Sequence, residues 1–375
     1  MFATSLLERL HQRGLRFIAG VPDSILQGFA AAAIGDKRFD HVIAANEGAA
    51  LALAAGHHLA TGRTPLVYLQ NSGLANALNP YLSMCHPTVY DLPVILLVGW
   101  RGEPNRADEP QHRKLGSITL DLLRLLDIKI VTLAEKAQQA SDDVDHAVEA
   151  AVSSGSSLAI VVSKGVLDEP VRPARDGTDD RVLLRSEVIT ALLRGMSDRD
   201  VVFGGIGHVS RELYAARLHN GSATDGKTSG GRDFLCVGGM GHAHQIALGY
   251  ARERRAGRVW CLDGDGALLM HLGALSAVSQ ARCAFVHVVF DNGVHGSVGG
   301  QPVCASNLDY GRLAADLGFR AVHKVTTAEQ LERTLAALEG VTAPEFVWIR
   351  VKPETPDDLP RPKETLTEMK RAFMA

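Results

Sequence analysis

Apolar runs of strand length alternate with stretches of helical period from one end of the chain to the other. In the first half, 15–20, 40–44, 65–69, 93–99, 128–132 and 157–163 read as strands, and 3–13, 24–34, 47–61, 117–126 and 135–153 as helices. The rhythm returns with strands at 199–203, 233–236, 257–262, 284–290 and 345–351 and helices at 186–195, 209–218, 242–254, 267–281, 307–317 and 327–339. Strands separated by helices predict parallel sheets covered by helices on both faces, an α/β class with two doubly wound domains. The pattern lapses at Leu167–Asp180, which is rich in Pro, Asp and Arg and has no apolar period. That composition predicts a linker, 167–184, between domains 1–166 and 185–375. Two α/β halves of similar size suggest a duplicated architecture, although their sequences are not visibly alike.

Composition excludes more than it identifies. A formal net charge of −3 gives no case for nucleic acid or an anionic membrane surface. The longest apolar stretch, Leu92–Trp100, is too short to span a bilayer and reads as a buried strand. The first residues, MFATSLLERLHQRG, read as an amphipathic helix and lack the apolar core of a signal peptide. The five cysteines, Cys85, Cys236, Cys261, Cys283 and Cys304, form no C-x-x-C pair and no zinc spacing. They are expected to be small buried apolar residues in a reducing cytoplasm.

Chemistry concentrates at strand ends in the second half. Gly264-Asp265-Gly266 follows the strand 257–262, and Asp291-Asn292 follows the next, 284–290. In open parallel sheets ligands sit beyond the carboxyl ends of strands. A carboxylate, an amide and a nearby loop carbonyl are hard oxygen donors of the kind Mg²⁺ takes alongside phosphate oxygens. The glycines let backbone approach the phosphates and expose N–H groups to them. The bland alternative is two ordinary Asp/Gly turns. In the first half, Asn46-Glu47-Gly48 opens a helix made almost wholly of Ala, Leu and Gly, which predicts burial on all sides. Glu47 there is either a first-turn acid favoured by the helix dipole or a proton carrier in a dry site. A dinucleotide site is excluded by spacing. Gly205-Ile-Gly207, Gly239-Met-Gly241 and Gly264-Asp-Gly266 run on to Ser210, His244 and Leu269, where the third glycine of G-x-G-x-x-G is required.

Taken together, GDG, the following DN and the upstream NEG resemble the thiamine-diphosphate-dependent decarboxylases. The resemblance implies a pyrimidine-binding domain that supplies Glu47 and a diphosphate-binding domain that supplies the metal motif. It implies Mg²⁺ on Asp265, Asn292 and the carbonyl of Val294, and thiamine diphosphate against Gly264, Gly266 and Ala267. Asp291 departs from the family's Asn but lies beside the ligand set. The segment Cys236-Val-Gly-Gly-Met-Gly-His resembles the family's cofactor wedge, which gives that role to Met240 and makes the Gly238 carbonyl an acceptor for the pyrimidine amine.

The absence of a central third domain, with the segments Gly20–Leu26, Glu109–Lys114 and Asn292–Pro302, is similar to the phosphonopyruvate decarboxylase branch and its sulfopyruvate relatives. That branch implies non-oxidative conversion of phosphonopyruvate to phosphonoacetaldehyde and CO₂, in phosphonate biosynthesis, by a homodimer or homotetramer with active sites between subunits. Arg101, His112 and His295 are then expected to meet the substrate, with His112 and His295 also candidates for chemistry. A solvated basic loop is the alternative for Arg106 and Lys114. Asp23 and Ser24 stay open between chemistry and capping, because Ser24-Ile-Leu-Gln27 also reads as a capping box. His57 and His58, in mid-helix, read as structural. The rival of another class is a non-catalytic protein of the same fold with a regulatory or assembly role.

Overall fold

The computed structural model describes residues 3–134, 137–167, 182–221, 232–253, 257–354, 356 and 358–375. Most of the expected linker, 168–181, lies outside them. The chain divides into two compact units. The first comprises Met1–Ala174 with Ser297–Cys304, and the second Arg175–Gly296 with Ala305–Ala375.

The first unit is built on strands β1 (Phe17–Gly20), β2 (Asp40–Ile43), β3 (Leu66–Gln70), β4 (Ile95–Gly99), β5 (Lys129–Leu133) and β6 (Leu158–Val162). They form one parallel sheet in the order β2-β1-β3-β4-β6-β5. The second unit uses β7 (Val201–Gly204), β8 (Arg232–Leu235), β9 (Val259–Gly264), β10 (Phe285–Asp291), β11 (Ala321–Val325) and β12 (Glu345–Arg350). Their order is β11-β12-β10-β9-β7-β8, again all parallel. Read from the opposite edge, this is the order of the first sheet, so the halves share one topology. Central strands such as Ile-Leu-Leu-Val-Gly of β4 and Leu-Ala-Ile-Val-Val of β6 are buried throughout, which explains their unbroken apolar runs. In each sheet the chain reverses its direction of growth between the first and third strands, β1/β3 and β7/β9, where ligand crevices form in such folds.

The structure departs from the sequence reading at particular places. Strand β11, Ala-Val-His-Lys-Val, was not expected, because an edge strand carries polar residues and lacks the apolar signature. The helices Leu74–Pro80 and Leu366–Met374, and the π-helical turn Tyr81–Cys85, were also missed. The helix expected at 117–126 begins at Pro110, with proline in its first turn, so His112, Arg113 and Lys114 are helical and not in a loop. The expected helix 267–281 is broken into Asp265–Met270, a 3₁₀ turn Leu272–Ala274 and Leu275–Ser279. Glu47–Thr61 is not buried on all sides: Ala52, Leu53, Gly56, Leu59 and Ala60 make an exposed apolar stripe. Cys85, Cys236 and Cys261 are buried, whereas Cys283 is half-buried and Cys304 exposed. Among the described residues no helix is long and apolar enough to cross a membrane.

Candidate active site

Polar groups gather at the carboxyl ends of the strands in both units. In the first, Asn46 caps the helix Glu47–Thr61 by accepting from the Ala49 N–H at 2.9 Å, which sets Glu47 at the first helical position. Glu47 is 5% exposed, and its Oε2 accepts from Asn76 Nδ2 at 2.8 Å. Gly73 passes so close that a Cβ there would overlap the Glu47 carboxylate.

Asp23, in the loop after β1, accepts from the Ile25 and Leu26 N–H groups at 2.5 and 3.3 Å through Oδ1. Its Oδ2 is buried with no hydrogen-bond partner. Burial pushes the Asp23 pKa up to about 6; the two N–H groups and Arg101 oppose the rise, and Glu47 adds to it. The Ser24–Gln27 capping box does not form. The helix starts at Gln27 after Leu26, with no side-chain cap, and Asp23 takes the free N–H groups in place of Ser24. Ser24 Oγ instead accepts from Arg101 Nη1 at 2.9 Å.

Arg101 is held from several sides. Its Nε donates to Asp108 Oδ2 at 2.8 Å and its Nη2 to Oδ1 at 2.5 Å, while Asn71 brackets its backbone at 2.8 and 3.1 Å. Asp108 also accepts from the Gly102 and Glu109 N–H groups at 2.7 and 2.8 Å. Much of the guanidinium fork is therefore committed inside the protein. His112 is held below its ordinary pKa by burial and by Arg101, against the pull of Asp108, so it is neutral near pH 7. Sequence reasoning missed Asn71, Asn76 and Asp108. The first two stand in Asn71-Ser-Gly-Leu-Ala-Asn76, directly beyond a predicted strand, and that position was the available signal.

In the second unit, Gly264 opens a short helix whose first residue is Asp265. Asp265, 3% exposed, accepts from the Gly266 N–H at 2.8 Å and from the Gly293 N–H at 2.7 Å, bridging the GDG and DN loops. Burial and the neighbouring Asp291 carboxylate push its pKa up to about 7, against those two N–H groups. Asp291 accepts from Trp348 Nε1 at 2.9 Å, which gives the residue replacing the family's Asn a partner of its own. Asn292 Oδ1 accepts from the Val294 N–H at 3.1 Å. Two buried carboxylates crowded together are what a bound divalent cation relieves, so the donor set fits Mg²⁺. Ala267 is buried in the first turn behind Asp265, and a Cβ at Gly264 would meet open space.

Met240, half-buried, stands between Gly239 and Gly241, both with positive φ (+68° and +85°), in the turn after Gly238. At Gly241 a Cβ would press on Met270 and the His271 ring, whereas at Gly239 it would meet nothing within 4 Å, leaving room for a bound group on that side. Burial holds His295 neutral, with a pKa of about 4. His208, overlooked in the sequence, faces the same loops: a Cβ at Gly296 would lie 3.7 Å from His208 Nδ1 and 3.6 Å from Asn292 Nδ2. Its signal is Gly205-Ile-Gly207-His208 beyond β7, a Gly-rich turn followed directly by an imidazole. Burial, Arg185 and Arg211 push the His208 pKa down to about 4. A cavity of about 970 Å³ among Ser197, Arg252, Arg258 and Arg282 opens at the amino ends of the same strands, the wrong edge for this chemistry.

Residues 1–120 match the N-terminal, and residues 223–351 the C-terminal, thiamine pyrophosphate-binding domain of thiamine pyrophosphate enzymes. The chain is 35% identical over its full length to a phosphonopyruvate decarboxylase of Streptomyces viridochromogenes, covering 94% of that protein. The chain belongs to the thiamine-diphosphate-dependent decarboxylase family. A phosphonopyruvate decarboxylase of Streptomyces hygroscopicus is 33% identical over 99% of the chain and 92% of its own length. A sulfopyruvate decarboxylase of Methanosarcina acetivorans is more distant, at 25% identity over 93% of the chain and 90% of its own length. Thiamine diphosphate is the cofactor that family membership brings with it.

Proposed function

We propose that the chain decarboxylates phosphonopyruvate without oxidation, releasing phosphonoacetaldehyde and CO₂, with thiamine diphosphate anchored through Mg²⁺. The observation that carries this reading is the full-length likeness to two phosphonopyruvate decarboxylases, higher than that to the sulfopyruvate enzyme. When bound, thiamine diphosphate supplies the electron sink that a 2-oxo acid lacks for the charge left behind as CO₂ departs. Asp265, the Asn292 side chain and the Val294 carbonyl would hold Mg²⁺, and Met240 and Gly238 would support the cofactor. Glu47, steadied at Oε2 by Asn76, would be the residue that holds and returns a proton beside the cofactor. Ser24, Arg101 and His112 form the polar surface offered to the acid head group. With Arg101 committed to Asp108 and Ser24, its two remaining N–H donors and the neutral His112 select the dianion by hydrogen-bond geometry more than by free charge. His295, neutral at pH 7, serves as a hydrogen-bond partner of the substrate.

The assembly we propose is a homodimer at least. Leu53 is 42% and Leu59 72% exposed on one stripe of the helix that Glu47 opens, and Tyr90 is 72% exposed. A second copy of the chain would remove that apolar surface from water.

The test is CO₂ release from phosphonopyruvate, sulfopyruvate and pyruvate side by side, with and without Mg²⁺ and thiamine diphosphate. The reading expects phosphonopyruvate to give the highest kcat/KM and both additions to be required. A preference for sulfopyruvate would transfer the assignment to that substrate. Cofactor binding without CO₂ from any of the three would make the protein non-catalytic.

A further inference from the structure

Beneath the diphosphate loop lies a second cluster of metal-ligating side chains that the chemistry above does not use. Asp263 on β9 and His287 on β10 share the sheet face opposite Trp260, Leu262, Val286 and Val288 of the core. His244, in the first turn of the helix Ala243–Glu253, faces them. All three residues are 0% exposed. One ligand atom from each lies within 4.8 Å of the other two. His244 Nδ1 is 3.7 Å and His287 Nε2 3.9 Å from Asp263 Oδ2, and the imidazoles stack at 5.5 Å.

These separations are too long for hydrogen bonds. Asp263 Oδ2 and all four ring nitrogens lack a hydrogen-bond partner. A dry carboxylate facing two imidazoles across such gaps is costly unless something neutralises it. Bonds of about 2.0–2.2 Å to one ion place its ligand atoms roughly 3.4 Å apart in a tetrahedron, a few tenths less than the two separations between the carboxylate and the imidazoles. Two imidazoles and a carboxylate favour zinc or another first-row transition ion, whereas Mg²⁺ prefers oxygen alone. Asp263 Oδ1 accepts from the Gly264 N–H at 3.0 Å, so whatever holds this carboxylate also holds the start of the GDG loop.

We infer that His244, Asp263 and His287 supply three ligands of a buried structural site for one divalent first-row transition metal, separate from the Mg²⁺ site on Asp265. The ion would tie the helix Ala243–Glu253 to β9 and β10 and steady the loop that anchors the cofactor. Its second function is charge balance for Asp263 in a place water does not reach.

The experiment is elemental analysis of the full-length protein, grown with trace zinc, iron and cobalt and dialysed against EDTA before Mg²⁺ and thiamine diphosphate are returned. About one transition-metal ion per chain is expected. It should persist in Asp265→Asn and be lost in His244→Gln and His287→Ala. Cobalt-grown protein should show the visible absorption of a tetrahedral N/O site. Folded wild-type protein with less than about a tenth of an ion per chain, and no cobalt band after refolding with Co²⁺, would overturn the inference even if the histidine variants fail to fold. In that outcome a shared proton balances Asp263. The Mg²⁺ requirement for CO₂ release is measured separately and is indifferent to the result.

Discussion

β1 and β7 hold equivalent places in the two sheets, as do β3 and β9, and β4 and β10. Beyond the first of each pair the loops bring Asp23, Asn71 and Arg101; beyond the second they bring His208, Asp265 and Asn292. In the first unit Arg101 stands among Asp23, Asp108 and Ser24, and Asn76 steadies Glu47. In the second unit Asp265 and Asp291 crowd one another and are met by backbone and indole N–H groups. One topology thus presents two opposite electrostatic settings. Where charge is balanced within the protein, the setting suits the proton exchange proposed for Glu47. Where negative charge accumulates, the loop suits the cation proposed for it. Strand order decides where side chains converge, and loop residues decide what they do there.

The comparison breaks most sharply if the anchoring unit is disabled. Asp265→Asn should abolish turnover at Mg²⁺ and cofactor concentrations that saturate the wild type, and any activity regained should need at least ~100-fold more Mg²⁺. Glu47→Gln should lower kcat by about 10²–10⁴-fold, the usual worth of a positioned proton carrier, measured as CO₂ release at saturating cofactor. Near-wild-type turnover would remove Glu47 from its role. Leu59→Asp, on the exposed stripe, should shift sedimentation toward monomer at micromolar protein while leaving far-ultraviolet circular dichroism unchanged.

The smallest effect concerns stability. Asp23 has a folded pKa of about 6 against an ordinary 3.8, so between these values the folded state binds more protons than the unfolded one. Stability contributed by this residue therefore falls as pH rises through that window, by on the order of 3 kcal/mol, and stays level above it. Asp23→Asn keeps an oxygen for the Ile25 and Leu26 N–H groups and removes the charge. Its denaturation midpoint should exceed the wild type's at pH 7.5 and match it near pH 4. Equal midpoints at both pH values would mean that Asp23 is not strained by burial.

The parts of the fold that rest on central strands were legible in the sequence, because burial on both faces leaves unbroken apolar runs such as those of β4 and β6. Edge strand β11 was not, since one side of it meets water and its residues blur the pattern. Glu47, Asp265 and Asn292 are legible because the roles proposed for them need particular residue types beside glycine. Asn71, Asn76, Asp108 and His208 did not, because their placement depends on which loops the sheet order brings together. The apolar run of Glu47–Thr61 reads in sequence as buried on all sides because apolar residues hidden by core and those left on the surface look the same there. The triad His244, Asp263 and His287 was invisible for the related reason that its members are separated along the chain and meet only across β9, β10 and the helix over them.

The central claim is the division of labour between the units, and binding of thiamine diphosphate with Mg²⁺ tests it most directly. Calorimetric titration of wild type, Glu47→Gln and Asp265→Asn side by side should give Glu47→Gln an affinity within a few-fold of wild type and leave Asp265→Asn with no measurable heat. Loss of binding in both variants, or in Glu47→Gln alone, would contradict it.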